Sequence, residues 1–259
     1  MESASTAPAP PPAVVAADPV WPHRLPVEVE LPPRKEGARR VSVYLDAGHG
    51  ATDNTGNSSC FCVREQDFTH ALAGDVASIL EETGRFWVVG SRFGDQLVAY
   101  AARVEEAARL KADVFVSLHS DVRGKKETWA PEPSLSCQRA LDAPGYSVLY
   151  SDEGDARLVG RRVELADRVA LAMGDAAFFP YGGEEYVGLY EGSTTQSGVF
   201  VDRHEPKKRI FVLRRPTMPS IIVETHNALD PREAELWEDP EVRRAFALAL
   251  ARGILETTR

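Results

Sequence analysis

The chain has 259 residues, of which 43% are apolar and 27% are charged, and its formal net charge is −9 at pH 7. This length suits one large domain, or one domain with appendages, and the composition excludes a chain that is disordered throughout, fibrous or repeatedly membrane-spanning. The acidic balance argues against nucleic acid and anionic lipid as partners, because both attract basic chains.

The amino-terminal segment, residues 1–38, is rich in alanine and proline and has little apolar periodicity. Such a composition cannot form a packed core, so we expect a disordered linker or tether. Its apolar runs are too short for a signal peptide or a transmembrane helix. We hypothesise that the tether follows a removed export signal or a lipid-modified cysteine; the alternative is a cytosolic protein with an irregular start.

The expected folded domain, residues 39–259, opens with alternating strands and helices. Apolar patterning predicts strands and helices in this order: strand 41–45, helix 68–80, strand 86–89, helix 98–111 and strand 113–118. Glu65 falls at the amino-terminal entrance of the first helix. Strands that alternate with helices in this way are typical of a parallel sheet with helices on both faces.

The second half of the chain is less regular. A strand is expected at 146–150, a helix at 158–173, a last strand that ends at Glu224 and a terminal helix that starts at Pro240. Two aperiodic stretches, about 121–144 and 178–208, look like insertions into the domain. The sequence therefore predicts a single α/β domain with a mostly parallel central sheet, preceded by the tether.

Four residues suited to metal hydrolysis follow the predicted strands. His49, His119 and Glu224 come directly after apolar runs, and Glu65 begins a helix. In open α/β sheets functional groups gather at the carboxyl ends of the strands, so these side chains should meet at one edge. His49, Glu65 and His119 would give a hydrolytic zinc ion three ligands and leave a position for water. Glu224 is then the candidate for moving the proton of that water.

The motifs that carry these residues resemble those of a known family. Asp46–Gly50 (DAGHG), Glu65, Ser117–Ser120 (SLHS) and Met218–Glu224 (MPSIIVE) are similar, in order, to motifs of the zinc-dependent N-acetylmuramoyl-L-alanine amidases of the amidase 3 family. The resemblance spans about residues 41–259. Ala47 stands where the family usually has proline, which removes no ligand.

The resemblance implies a peptidoglycan hydrolase that cleaves the amide bond between N-acetylmuramic acid and the L-alanine of the stem peptide. It implies one Zn²⁺ per chain, held by His49, Glu65 and His119, with Glu224 as the catalytic glutamate. The substrate of the family lies outside the cytoplasmic membrane, so we expect an exported protein that is periplasmic or attached to the cell envelope. We further expect a monomer, with an activator protein as an additional partner still to be tested.

Five further residues are candidates for supporting roles. His226, two residues after Glu224, would share its face in a continuing strand and orient substrate or stabilise an oxyanion. Arg92 and Arg214 could pair with substrate carboxylates, and the alternative for both is a surface ion pair. Because some members of the family block their own zinc with a glutamate on an inserted helix, Glu184 or Glu185 could be autoinhibitory; the alternative is a solvated loop.

Two questions stay open at the level of sequence. Cys137 can form a disulfide with Cys60 or with Cys62 in an oxidising compartment, or all three thiols can be free. The function also has alternatives: a catalytically silent or autoinhibited cell-wall binding protein of the same fold, or another zinc peptidase. The intact set of four reactive positions favours the amidase over the silent protein.

Overall fold

A computed structural model describes residues 25–94 and 96–258. The described residues form nine strands and six helices. In chain order these are β1 (Val41–Ala47), α1 (Glu65–Glu82), β2 (Phe86–Gly90), α2 (Tyr100–Arg109), β3 (Val114–Asp121), β4 (Glu127–Trp129), β5 (Cys137–Arg139), β6 (Ser147–Tyr150), α3 (Ala156–Asp175), β7 (Tyr190–Gly192), β8 (Val199–Asp202), α4 (Phe211–Arg214), β9 (Ser220–Asn227), α5 (Pro231–Leu236) and α6 (Pro240–Thr257).

Seven strands form one twisted central sheet in the order β2-β1-β3-β9-β6-β8-β7. The neighbours β2, β1, β3 and β9 run parallel, as do β6 and β8, whereas β6 is antiparallel to β9 and β7 is antiparallel to β8. The prediction of a mostly parallel sheet is confirmed. The carboxyl ends of β1, β3 and β9 lie side by side at one edge, and this edge carries the candidate site.

Each face of the sheet is covered by helices, as the sequence predicts. Residues of α1, α3 and α6 pack with one set of strand side chains into a large apolar core. On the opposite face, α2 and α4 cover a smaller core that includes Tyr44, Phe115 and Ile222. Alternate residues of a strand face opposite sides of the sheet, so β9 contributes Ile221 and Val223 to the first core and Ile222 to the second.

Helices α3 and α6 approach each other closely at Gly253. A Cβ atom at this position would lie 2.7 Å from the Cα atom of Val169, which leaves no room for a side chain. Gly160, on the exposed part of α3, has no atom within 4 Å of the corresponding position. The glycine in α6 is therefore a packing requirement. None of the helices in the described part of the chain is long and apolar enough to span a bilayer.

The segment from residue 25 to residue 40 lies against the domain. Val29 and Leu31 pack partly buried on the larger core, and the amide of Val27 donates to the carbonyl of Ala176. The expectation of a tether up to residue 38 therefore needs correction for 25–38, because these apolar side chains find partners on the domain that composition alone does not reveal. Residues 1–24, the rest of that expected tether, lie outside the described residues.

The two expected insertions have different structures. In the first, 121–144, β4 and β5 pair as a separate two-stranded antiparallel sheet. The second, 178–208, contributes β7 and β8 to the central sheet, so it is part of the main architecture. Cys62 and Cys137 form a disulfide that connects the loop before α1 to β5, and Cys60 is a buried free thiol.

Candidate metal centre

The two histidines and Glu65 reach the same point from three elements. His49 lies in the loop after β1 with a left-handed backbone (φ 58°), Glu65 is the first residue of α1, and His119 lies near the end of β3. One potential ligand atom from each lies within 4.8 Å of the other two. These three side chains therefore meet at the sheet edge, as the sequence predicts.

Hydrogen bonds hold each histidine so that one ring nitrogen faces Glu65. His49 Nε2 is 3.0 Å from Glu65 Oε2, and His119 Nδ1 is 2.9 Å from Glu65 Oε1. The opposite nitrogens are engaged elsewhere: His49 Nδ1 with Asn54 Oδ1 at 2.7 Å, and His119 Nε2 with Ser117 Oγ at 3.1 Å. Two imidazoles and a carboxylate with secured outer partners are the donor set of a hydrolytic zinc site, so the residues present fit such an ion.

Glu65 is ionised in this arrangement. Burial alone raises the pKa of its carboxyl, but the hydrogen bonds and charges of His119 and His49 outweigh burial and hold the pKa well below its usual value. The backbone amides of Asn57 and Ser120 also donate to this carboxylate, each at 3.1 Å. A carboxylate that stays charged and fixed in orientation is suited to metal binding.

Glu224 faces a cavity beside this group. It lies opposite His119 in the pairing of β3 and β9. The cavity has a volume of about 290 Å³, and its lining residues are His49, His119 and Glu224 together with the apolar wall Tyr100, Ile210, Phe211, Val212 and Ile222. Burial, reinforced by the charges of Asp121 and Glu65, raises the pKa of Glu224 well above its usual value. Its Oε2 atom has no hydrogen-bond partner in the described structure.

His226 does not share the face of Glu224, contrary to the prediction. Asp121 pairs with Asn227, whereas His119 pairs with Glu224, so β9 has one extra residue in this interval. Such a bulge reverses the alternation of the strand that follows it. His226 is 97% buried on the other face, where its ring lies 5.1 Å from that of Phe68 and stacks on Trp237 at 5.5 Å. It is a packed core residue.

Arg92 is also placed differently from the prediction. Its guanidinium is buried and donates to the carbonyls of Ala47, Gly48 and Gln66 at 3.2, 3.3 and 2.9 Å. The side chain therefore holds the loop after β1 against the start of α1. Its hydrogen-bond partners are backbone carbonyls, so Arg92 fits neither the predicted role in substrate binding nor the alternative of a surface ion pair. A Cβ atom on Gly50 would lie 2.3 Å from the Arg92 Nη1 atom, so the loop fits closely around the guanidinium.

The other three supporting candidates are neither among the grouped ligand residues nor among the residues that line the cavity in the described structure. Arg214 is 3.7 Å from Glu153, an ion pair as in the alternative interpretation, and it is not among the residues that line the cavity in the described structure. Glu185 accepts a hydrogen bond from the backbone amide of Gly124. Neither Glu184 nor Glu185 belongs to the group of metal-binding atoms found among the described residues, so the structure gives them no autoinhibitory contact.

Sequence reasoning missed the residues that support the histidines. Asp46 and Arg103 form a fully buried ion pair at 2.8 Å, and Ser117 donates to Asp46 at 2.6 Å. Asp46 and Ser117 belong to the motifs that carry His49 and His119, which is the signal that could have identified them. Arg103 gives no such signal, because in sequence it is an arginine of an ordinary amphipathic helix.

Comparison with known proteins agrees with this geometry. The Amidase_3 family model, described as N-acetylmuramoyl-L-alanine amidase, matches residues 43–131, the stretch that contains His49, Glu65 and His119. The chain is similar to this family over that stretch, which is about a third of its length. Among its relatives is the N-acetylmuramoyl-L-alanine amidase AmiA of Escherichia coli K12, 26% identical over 238 residues that cover 86% of this chain and 77% of AmiA. AmiC of Escherichia coli O6:H1 is 26% identical; 88% of this chain aligns with 57% of AmiC.

Solved structures extend the similarity to most of the chain. The N-acetylmuramoyl-L-alanine amidase AmiC2 of Nostoc punctiforme is 26% identical, with a TM-score of 0.58 over 85% of this chain and 98% of that chain. Ami1 of Mycobacterium abscessus has a TM-score of 0.66 over 86% of this chain and all of that chain, at 19% identity. At 19% identity, the similarity to Ami1 shows a shared fold only. Together they show that the similarity of fold extends beyond the residues of the family-model match.

Proposed function

We propose that this chain is a member of the Amidase_3 family and a zinc-dependent peptidoglycan hydrolase that cleaves the amide bond between N-acetylmuramic acid and L-alanine of the stem peptide. The observation that carries the proposal is the convergence of His49, Glu65 and His119 at one point, next to the buried carboxyl of Glu224 in a cavity. The family match and the amidase relatives supply the substrate class.

His49 Nε2, His119 Nδ1 and a Glu65 oxygen would hold the ion. A bound zinc ion would lower the pKa of a water molecule and polarise the carbonyl of the scissile amide. The chain must then supply a group that moves protons, because hydrolysis takes a proton from water and needs one at the nitrogen that leaves.

We assign this proton transfer to Glu224. As the water oxygen bonds to the amide carbon, the Glu224 carboxylate accepts the proton, and it then donates this proton to the alanine nitrogen while the C–N bond breaks. Glu224 lines the same cavity as His49 and His119, so one carboxyl is placed to serve both steps. Ile210, Phe211 and Val212 form an apolar wall of the cavity in which this exchange takes place.

The disulfide supports an extracytoplasmic location. Cys62 and Cys137 are bonded, and such bonds persist in oxidising compartments outside the cytoplasm. Peptidoglycan lies in the same region of the cell. We therefore propose that the protein is exported and acts in the cell envelope.

The test is digestion of purified peptidoglycan sacculi by the full chain, with zinc and separately with a chelator, followed by mass spectrometry of the products. We expect intact stem peptides with a free L-alanine amine, released only in the presence of metal. A matched reaction on an ordinary peptide distinguishes a general zinc peptidase, which would cut both. A protein that binds one zinc per chain yet releases nothing would contradict the proposal for the isolated chain and favour the regulatory or activator-dependent alternative.

A further inference from the structure

One buried carboxylate is linked to both histidines through other side chains. Asp46, the last residue but one of β1, has no exposed surface. Its Oδ1 atom is 2.8 Å from Arg103 Nη1, and its Oδ2 atom accepts a hydrogen bond from the Ser117 hydroxyl at 2.6 Å. The two oxygens therefore lead to two different elements, α2 and β3.

The connection through Ser117 ends at His119. The serine has a single hydroxyl proton, and it donates this proton to Asp46, so its oxygen can only accept from the imidazole 3.1 Å away. The His119 Nε2 atom must then carry a hydrogen, so Nδ1, which lies 2.9 Å from Glu65 Oε1, is the nitrogen left to coordinate a metal ion. The Asp46–Ser117 pair thus selects the tautomer and the ring orientation that a metal ligand needs.

The connection through Arg103 ends at the backbone of His49. The guanidinium donates to the carbonyls of Ala47 and Val98 and to that of His49 itself. The left-handed backbone of His49 is strained for a residue with a side chain, so the loop needs external support. Asp46 supplies it indirectly, because its charge fixes the guanidinium that holds the loop.

We propose that Asp46 is a positioning residue that couples both histidine ligands and presets their geometry before metal binds. The inference rests on the proposed function only in taking His49 and His119 as ligands. A purely structural ion pair between Asp46 and Arg103 would stabilise the fold, but it would not require Ser117 to be bonded to both Asp46 and His119.

The test compares Ser117→Ala with Ser220→Ala. Both serines are fully buried in central strands, and Ser220 donates to the Leu213 carbonyl at 2.8 Å on a part of β9 away from the histidines. Replacing Asp46 itself would leave Arg103 as an uncompensated buried charge and could unfold the chain, so Ser117→Ala is the primary variant. Ser117→Thr, which keeps the hydroxyl, is the conservative rescue.

The first readout is zinc affinity, measured by competition with a chromophoric chelator. We expect Ser117→Ala to bind zinc about 10–100-fold more weakly than the wild type, the range typical of lost outer-shell partners. Ser220→Ala should stay within about threefold, and Ser117→Thr should recover most of the loss. Thermal unfolding of the metal-free proteins separates this effect from general destabilisation, which should be similar for the two alanine variants.

The second readout needs no metal. Nitrogen-15 NMR of the metal-free protein should show a hydrogen on His119 Nε2 that exchanges slowly with solvent in the wild type and faster in Ser117→Ala, because the substitution removes its acceptor. Unchanged zinc affinity in Ser117→Ala, or equal losses in the two alanine variants, would overturn the inference while the proposed function stands. A wild-type chain that binds no zinc would overturn the proposed function and the inference with it.

Discussion

His226 should make the stability of this protein unusually sensitive to mild acid. Burial, together with the positive charge of Arg123, lowers the pKa of this imidazole from its ordinary 6.5 to about 3. The unfolded chain takes up a proton at this position as the pH falls below 6.5, whereas the folded chain does not until about pH 3. The stability contributed by neutral His226 is therefore complete above pH 6.5 and is lost progressively as the pH falls towards 3.

The magnitude follows from the two pKa values. Proton linkage with these values gives a loss of about 3 kcal/mol in the free energy of unfolding between about pH 8 and about pH 4.5. His226→Phe removes the titrating group and keeps an aromatic ring between Phe68 and Trp237. The variant should therefore lose about 3 kcal/mol less than the wild type over the same pH interval.

The assay is urea denaturation at the two pH values, with a chelator present so that metal binding adds no pH dependence of its own. The matched control is His70→Phe, which removes a partly exposed histidine of α1. This control should follow the wild-type pH dependence more closely than His226→Phe does. Parallel pH profiles for His226→Phe and the wild type would refute the reasoning, because they would mean that the buried imidazole titrates normally.

Three further predictions concern catalysis, the disulfide and helix packing. Glu224→Gln should keep wild-type zinc stoichiometry, but its turnover rate in the sacculus assay should fall by a factor of about 10²–10⁴. Near-normal turnover would exclude Glu224 as the proton-transfer residue. The Cys62–Cys137 bond closes a separation of 75 residues, so reductant should lower wild-type stability by about 4 kcal/mol and leave the double Cys62→Ser/Cys137→Ser variant unaffected. Gly253→Ala should cost about 1–3 kcal/mol in thermal unfolding, whereas Gly160→Ala should be neutral or stabilising, and equal effects would contradict the close helix contact.

The sequence was most informative where a regular pattern coincides with a functional side chain. β1, α1 and β3 follow simple apolar periodicity, and the parallel order of their strands is enough to bring His49, Glu65 and His119 to one edge. Their proximity could therefore be predicted without any contact information. The observed bounds of the helices and strands differ from the predicted ones by a few residues. Helix α1, for example, begins at Glu65 itself.

The predictions that failed depend on tertiary structure. The face of His226 is set by a bulge in β9, and a bulge shows itself only in the pairing with β3. Arg92 reaches back to Ala47, 45 positions away, and a contact at that separation has no periodic signal. The partner of Cys137 was left open by the sequence for the same reason, because the choice of Cys62 over Cys60 depends on where β5 lies relative to the loop before α1.

The position of Glu224 within the sheet has a consequence for local unfolding. β9 is flanked by β3 and β6, so the backbone around Glu224 opens only when the centre of the sheet opens. His49 lies on an irregular loop that can open at a smaller free-energy cost. Amide hydrogen exchange should therefore be faster around His49 than around Glu224. If the site holds the proposed zinc ion, loss of metal can then precede loss of the fold, and the demetallated chain would keep the carboxyl of Glu224 in place for reactivation by added zinc.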